Sequence, residues 1–193
     1  MPDTTSRLPQ AVKILHEGGV IACPTEAVWG LSCDPFNPMA VQRILDLKQR
    51  DPSKGLLLVA ANEQAIAPLL AHLAPVLLER LRAHWPGPFT FLIPDPQNWV
   101  PPYVKGNHPH VAVRISAHPL VHRLCEAFGG PLVSTSANQQ GAPPARSETD
   151  LRNWLNTLEN TADRPHILPG STGGQTNPTR IIDLMSGETV RPD

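Results

Sequence analysis

Residues 111–138 read VAVRISAHPLVHRLCEAFGGPLVSTSAN, and the fold is decided here. Residues 111–115 form a short apolar run rich in β-branched side chains, the signature of a buried strand. Pro119 suits the first position of a helix, where its fixed φ helps and its missing N–H is not needed. Leu120, Val121, Leu124 and Phe128 then recur on one helical face, and Gly129-Gly130 ends the run. Leu132-Val133-Ser134 returns as a strand. Strand, helix and strand in immediate succession are the grammar of an α/β protein.

The same grammar extends to both sides. Leu8, Val12, Ile14 and Leu15 give a helical stripe expected to start at Pro9 and stop at Gly18-Gly19, followed by a strand at Val20-Ile21-Ala22 and a loop over 23–35. Asn37 can cap a helix with Pro38 in first position and Val41, Ile44, Leu45 and Lys48 at helical spacing, ending at Lys48-Gln49-Arg50. Strands are expected at 56–59 and 89–93, with helical segments around 63–70 and 75–83 between them. The proline-rich stretch 94–110 reads as a long surface excursion. Ser147 and Asp150 resemble a capping box that starts a helix through Leu151, Trp154, Leu155 and Leu158. Ile181-Ile182-Asp183-Leu184, a Ser186-Gly187 turn and Thr189-Val190 predict a terminal hairpin. The expectation is one α/β domain over 1–193, a twisted mixed sheet flanked by helices.

Composition bounds the function. The 193 residues carry 16 Lys and Arg against 17 Asp and Glu, so any basic site is local and a polybasic nucleic-acid binder is excluded. Three widely spaced cysteines, Cys23, Cys33 and Cys125, form neither a disulfide framework nor a zinc knuckle. With no apolar signal core and no run of membrane-spanning length, the expected location is the cytoplasm. The 23 prolines imply many rigid turns.

Chemistry-bearing residues collect after strands, where α/β sheets present their ligand sites. Pro24-Thr25-Glu26-Ala27-Val28-Trp29-Gly30-Leu31 follows the first strand; its bland alternative is a capped turn with a core indole. Lys48, Arg50 and Lys54 put three cations at the end of a helix and start of a loop. They can complement the helix dipole, or they can bind polyphosphate at a cleft rim. Ser134-Thr135-Ser136-Ala137-Asn138 is either an ordinary turn or a phosphate or metal cradle. Arg114 inside an apolar strand must meet solvent or a ligand at the sheet's face. Gly170-Ser171-Thr172-Gly173-Gly174 lacks the Lys of a phosphate loop and reads as a flap, a candidate lid. His118 and His122 have metal-ligand spacing, but His118 precedes Pro119 and is expected outside the helix, so no protein-held metal is expected. Neither a Gly-x-Ser-x-Gly nor a Cys/His signature appears, so no covalent nucleophile is indicated.

Taken in order, these segments resemble the YrdC/TsaC family of threonylcarbamoyl-AMP synthases. The marks are the Pro24 to Leu31 segment, Lys48-Gln49-Arg50, Trp85-Pro86-Gly87-Pro88-Phe89-Thr90, Val113-Arg114, Ser134 to Asn138, Asn177-Pro178-Thr179 and Val190-Arg191. The resemblance spans nearly the whole chain and implies the short, single-domain bacterial form, a YrdC-like fold with a concave basic cleft. It implies ATP, with Mg2+ accompanying it, L-threonine and bicarbonate as substrates, and L-threonylcarbamoyladenylate and pyrophosphate as products. The adenylate would pass to a tRNA threonylcarbamoyl transferase complex for N6-threonylcarbamoyladenosine modification, with weak tRNA binding an additional expectation. By matching position, Lys48 and Arg50 would be catalytic; Lys48, Arg50, Lys54, Asn138 and Arg191 would hold the nucleotide. Thr25, Arg114, Ser136 and Thr179 would hold the amino acid, and Thr90 would line the same cleft. The chain departs from the family at Ala27, where a second threonine is common, at Trp29 for tyrosine, and at Asp51 between Arg50 and Pro52.

Two other readings use the same residues. A concave basic surface can bind RNA through Lys48, Arg50 and Arg114, though one tyrosine and four phenylalanines supply no stacking platform. A carbamoylation module of the same superfamily would form a different carbamoyl-adenylate.

Overall fold

The structure, a computed structural model, describes residues 4–158, 160, 164–177 and 179–191. Pro178 of the Asn177-Pro178-Thr179 motif therefore lies outside the described residues.

Helix α1 (Thr4–His16) begins before the expected Pro9, which sits in its interior. Proline there deletes one hydrogen bond near the helix start, and burial of Ala11 and Leu15 against a later helix offsets the loss. β1 (Ile21–Pro24) and β2 (Trp29–Ser32) pair antiparallel with Cys23 opposite Gly30. The expected loop over 23–35 is thus largely a hairpin. α2 (Pro38–Lys48) is capped as expected, Asn37 Oδ1 accepting from Met39 and Ala40 N–H, and it ends on Gln49 at φ 47°. β3 (Leu57–Ala60) leads through a 3-10 turn into the short α3 (Ala67–Leu70) and then α4 (Pro75–Arg82).

β4 (Phe89–Pro94) is followed by the proline-rich stretch, which is no surface excursion. It contains α5 (Pro102–Lys105), and Val100 and Val104 are fully buried in the core. Asp95 anchors it from inside, its carboxylate accepting from Trp99 and Val100 N–H and pairing with Lys105 Nζ at 3.0 Å. β5 (His110–Ile115), α6 (Pro119–Phe128) and β6 (Leu132–Ser136) follow as the opening stretch predicts. α7 (Glu148–Asn156) carries the full capping box of Ser147 and Asp150. β7 (His166–Ile167), β8 (Arg180–Asp183) and β9 (Thr189–Arg191) complete the sheet, the last two as the predicted hairpin.

The sheet runs β7-β1-β2-β6-β3-β5-β4-β8-β9. The β7/β1, β3/β5 and β4/β8 pairs are parallel and the rest antiparallel, a mixed α/β sheet. Alternation along each strand sends successive side chains to opposite faces. On one face Leu58, Ala60, Phe91, Ile93, Val113 and Val133 share a core with α2, α4 and α7. On the other, Cys23, Val59 and Leu132 pack under α1 and α6. Those two helices cover only part of that face. The residues alternating with the first core over β3 to β8, among them Leu57, Leu92, Ala112, Arg114, Ser134, Ser136 and Ile181, line an open cavity instead.

Candidate active site

The cavity holds about 590 Å3 and is lined by Thr25, Glu26, Arg50, Lys54, Arg114, Ser136, Thr179 and Arg191 together with the strand residues above. Side chains that are far apart in sequence thus share one concavity, and they fall into two groups.

The first group lies where β3 and β5 begin. Lys48, the last residue of α2, is buried, and its ammonium donates to Ser136 O, to Asn138 O at 2.9 Å and to Asn138 Oδ1 at 3.2 Å. Gln140 N–H returns a bond to Lys48 O. Lys48 and Asn138 therefore stand behind the cavity wall, fastening the loop that presents Ser136 to the cavity. Burial, and then the neighbouring Arg50 charge, push the Lys48 ammonium down to about 8. Arg50 lines the cavity, with Nε and Nη2 on Gly55 O at 3.1 and 2.8 Å. Asp51, the departure from the family pattern, caps the turn Pro52–Lys54 through Ser53 N–H and so shapes the loop that carries Lys54. Backbone contacts seat this loop on α5: Leu56 N–H donates to Val104 O and Asn107 N–H to Ser53 O.

The second group lies farther along β5, where Arg114 pairs with Val59 two residues beyond the Leu57–Ala112 pair. Arg114 is buried; its Nη1 donates to Thr179 Oγ1 at 2.8 Å and its Nη2 meets Glu26 Oε2 at 3.3 Å. Arg114 Nε is buried and has no protein acceptor. Desolvation lowers its pKa, and Glu26 opposes the shift. Thr179 Oγ1 also faces Thr90 Oγ1 at 3.3 Å, and Thr179 O accepts from Arg191 Nη2 at 2.7 Å. Arg191, exposed as a residue, thus stands with Arg114 and Thr179; partial desolvation of its guanidinium and then the Arg114 charge lower its pKa.

The tip of the β1–β2 hairpin joins the groups. Thr25 Oγ1 donates to Val28 O, closing the turn, while Ala27 lines the cavity and Trp29 is buried in the core. Across this tip lies segment 170–176: Gly173 and Gln175 N–H donate to Thr25 O and Glu26 O, and Arg146 Nη2 donates to Thr176 O. His118 Nε2 sits 3.0 Å from Ser171 O, and His122 Nδ1 pairs with Glu126. Among the described residues, no group of three His, Cys, Asp or Glu is arranged to hold a metal. The structure also places His108 and His110, not singled out by the sequence reading, on the cavity wall, their rings stacked at 5.5 Å. Only their spacing ahead of Arg114 could have pointed to them. The three thiols are buried, and burial pushes Cys23 and Cys125 up to about 12.

Residues 13–192 match the Sua5_yciO_yrdC family model, described as telomere recombination. A threonylcarbamoyl-AMP synthase of Chromohalobacter salexigens is 47% identical over 191 residues, covering 99% of this chain and 100% of its own. One of Pseudomonas aeruginosa is 48% identical over 182 residues, covering 94% and 95%. Sua5 of P. abyssi complexed with L-threonine superposes with a TM-score of 0.81 at 27% identity over 92% of this chain, which spans 51% of that one. E. coli YciO, at 23% identity, shares the fold with a TM-score of 0.80 over 99% of this chain and 90% of its own.

Proposed function

This chain belongs to the Sua5/YciO/YrdC family, and from that membership together with its cavity we infer that it is a threonylcarbamoyl-AMP synthase. It forms L-threonylcarbamoyladenylate and pyrophosphate from L-threonine, bicarbonate and ATP. The observation that carries the reading is the pairing, in one cavity, of a cationic loop with a buried arginine whose Nε lacks an acceptor. The first suits polyphosphate and the second a carboxylate.

The chemistry needs no side-chain nucleophile. Threonine's amine and bicarbonate give a carbamate and water; a carbamate oxygen bonds to the α-phosphorus as the bond to the β-phosphate oxygen breaks and pyrophosphate leaves. The protein's contribution is positioning and charge stabilisation. We assign Arg50 and Lys54 to the phosphates. Lys48 and Asn138 act from behind the wall, fastening the loop that presents Ser136. Arg114 takes the threonine carboxylate, with Thr25, Ser136 and Thr179 around the amino acid. Arg191, beside Arg114, faces the junction where the carbamate meets the α-phosphate. Mg2+ is proposed as the nucleotide's counter-ion, supplying charge neutralisation. The described lining residues hold a single carboxylate, Glu26, already engaged by Arg114 and Ser116, so Mg2+ would arrive with the nucleotide.

We place the enzyme in the cytoplasm, where buried thiols stay reduced; no helix among the described residues is long and apolar enough to cross a membrane. A tRNA threonylcarbamoyl transferase complex is the proposed recipient of the adenylate, with weak tRNA contact at most. The test is incubation of the pure protein with ATP, Mg2+, threonine and labelled bicarbonate. A labelled adenylate formed with stoichiometric pyrophosphate is expected; tight, salt-sensitive RNA binding with no ATP turnover would instead favour an RNA-binding role.

A further inference from the structure

Glu26 is buried at 5% exposure and is the only carboxylate on the described cavity wall. A carboxylate so placed in a site for anionic substrates needs a reason, because it repels both triphosphate and amino-acid carboxylate. Its contacts give one. Oε2 meets Arg114 Nη2 at 3.3 Å, and Oε1 accepts from Ser116 Oγ at 2.7 Å. Ser116 Oγ in turn accepts from His118 N–H, so the carboxylate is fixed from behind by the first turn of α6. Thr179 Oγ1 takes Arg114 Nη1 from the other side. The guanidinium is therefore clamped at both terminal nitrogens while Nε stays without a protein partner.

We propose that Glu26 is a positioning residue of the amino-acid subsite, holding Arg114 so that its unpartnered Nε is presented to the incoming carboxylate. The proposal rests on the assignment of Arg114 to the threonine carboxylate. The clamp costs some of Arg114's attraction for that carboxylate and returns a fixed direction of approach. Orientation outweighs the lost attraction because an unclamped guanidinium in a buried pocket can rotate or be left unpaired. Glu26 also seats segment 170–176 through its own O, which accepts from Gln175 N–H. One residue thus holds the arginine through its side chain and segment 170–176 through its backbone.

Two measurements on the full chain test this. The first needs no substrate: the 15N–1H signal of Arg114 Nε in the ligand-free protein. It is expected to be a single sharp resonance in the parent and broadened or lost in Glu26→Ala. An unchanged signal in the variant overturns the proposal, whatever the substrate proves to be. The second is steady-state kinetics. Glu26→Ala is expected to raise the threonine KM about tenfold, the size of a lost charge-assisted hydrogen bond, and to leave the ATP KM within about twofold. Glu26→Gln, whose amide can still accept from Arg114 and donate to Ser116, is expected to fall between Ala and the parent. Equal changes in both KM values, or none in that for threonine, would count against positioning. A parent enzyme that forms no adenylate with threonine sinks the substrate assignment separately, and the resonance then decides Glu26 alone.

Discussion

Burial takes Lys48 out of water beside Arg50, and the two effects act together to hold its ammonium near 8 instead of 10.5. Below pH 8 the residue is charged in both folded and unfolded protein, and the whole desolvation cost is present. Between about 8 and 10.5 the folded protein releases the proton while the unfolded chain keeps it, so this residue's contribution to stability improves as pH rises. The unfolding free energy of the parent relative to Lys48→Met should therefore climb from pH 7.5 to pH 10. A falling difference would mean that the three carbonyl acceptors around Nζ outweigh desolvation. Arg50 makes the complementary case, because it stands in the cavity itself. Arg50→Ala should lower threonine-dependent pyrophosphate release at least about tenfold through loss of a charged phosphate contact worth about 1.5–3 kcal/mol. At Arg114 a lysine keeps the charge and loses both the clamp by Glu26 and Thr179 and the unpartnered Nε–H, so Arg114→Lys should raise the threonine KM while the ATP KM holds. Residue type alone announced these cations, but it could not tell that Lys48 points at carbonyl oxygens and not into the cavity. That depends on Asn138, ninety positions away.

Elements whose signals are local were legible, and those completed by distant partners were not. The cap of α2 by Asn37 and the capping box of α7 lie within four residues of their targets. β2 is different: it pairs with β1 in a local hairpin, but its other edge is closed by β6, and Trp29 is held by Ala145 O and Ala137 N–H, all more than a hundred residues later. α5 likewise gained its place from Asp95 and the buried Lys105, which no periodicity reveals. Segment 170–176 could be read as a flap, but its seat could not. Gly173 packs so closely that an added Cβ would lie 3.0 Å from Glu26 O and 3.1 Å from Glu26 Cα. Gly173→Ala should lift the segment by a few tenths of an ångström, weaken threonine saturation and leave thermal stability nearly unchanged. A matching loss of ATP affinity would argue that the segment covers the nucleotide instead. Gly106 is the stricter case, with φ 66° and an added Cβ placed 2.3 Å from Ser53 O. Gly106→Ala should both destabilise the protein and displace the loop carrying Lys54, raising the ATP KM.

At the scale of the molecule, the site exists because the sheet's two faces are covered unequally. Helices α2, α4 and α7 cover one face, whereas α1 and α6 reach only part of the other. The sequence carried both halves of this asymmetry in its strands: Val113 and Arg114 are neighbours on β5, one fully buried in the core and the other facing the cavity. Which face would be left bare was not legible, because that depends on where α1 and α6 dock. The consequence is testable with one substitution made at two alanines. Ala60 on β3 is fully buried beneath the helices, so Ala60→Leu overpacks a filled core and should cost about 1–3 kcal/mol of stability. Ala112 on β5 forms the cavity floor with no layer above it. Ala112→Leu should therefore leave the melting temperature near the parent's while lowering turnover, because its added carbons occupy space that ATP and threonine need. If both variants were destabilised alike, the second face would be packed in solution, and the cavity could not be the place where the adenylate forms.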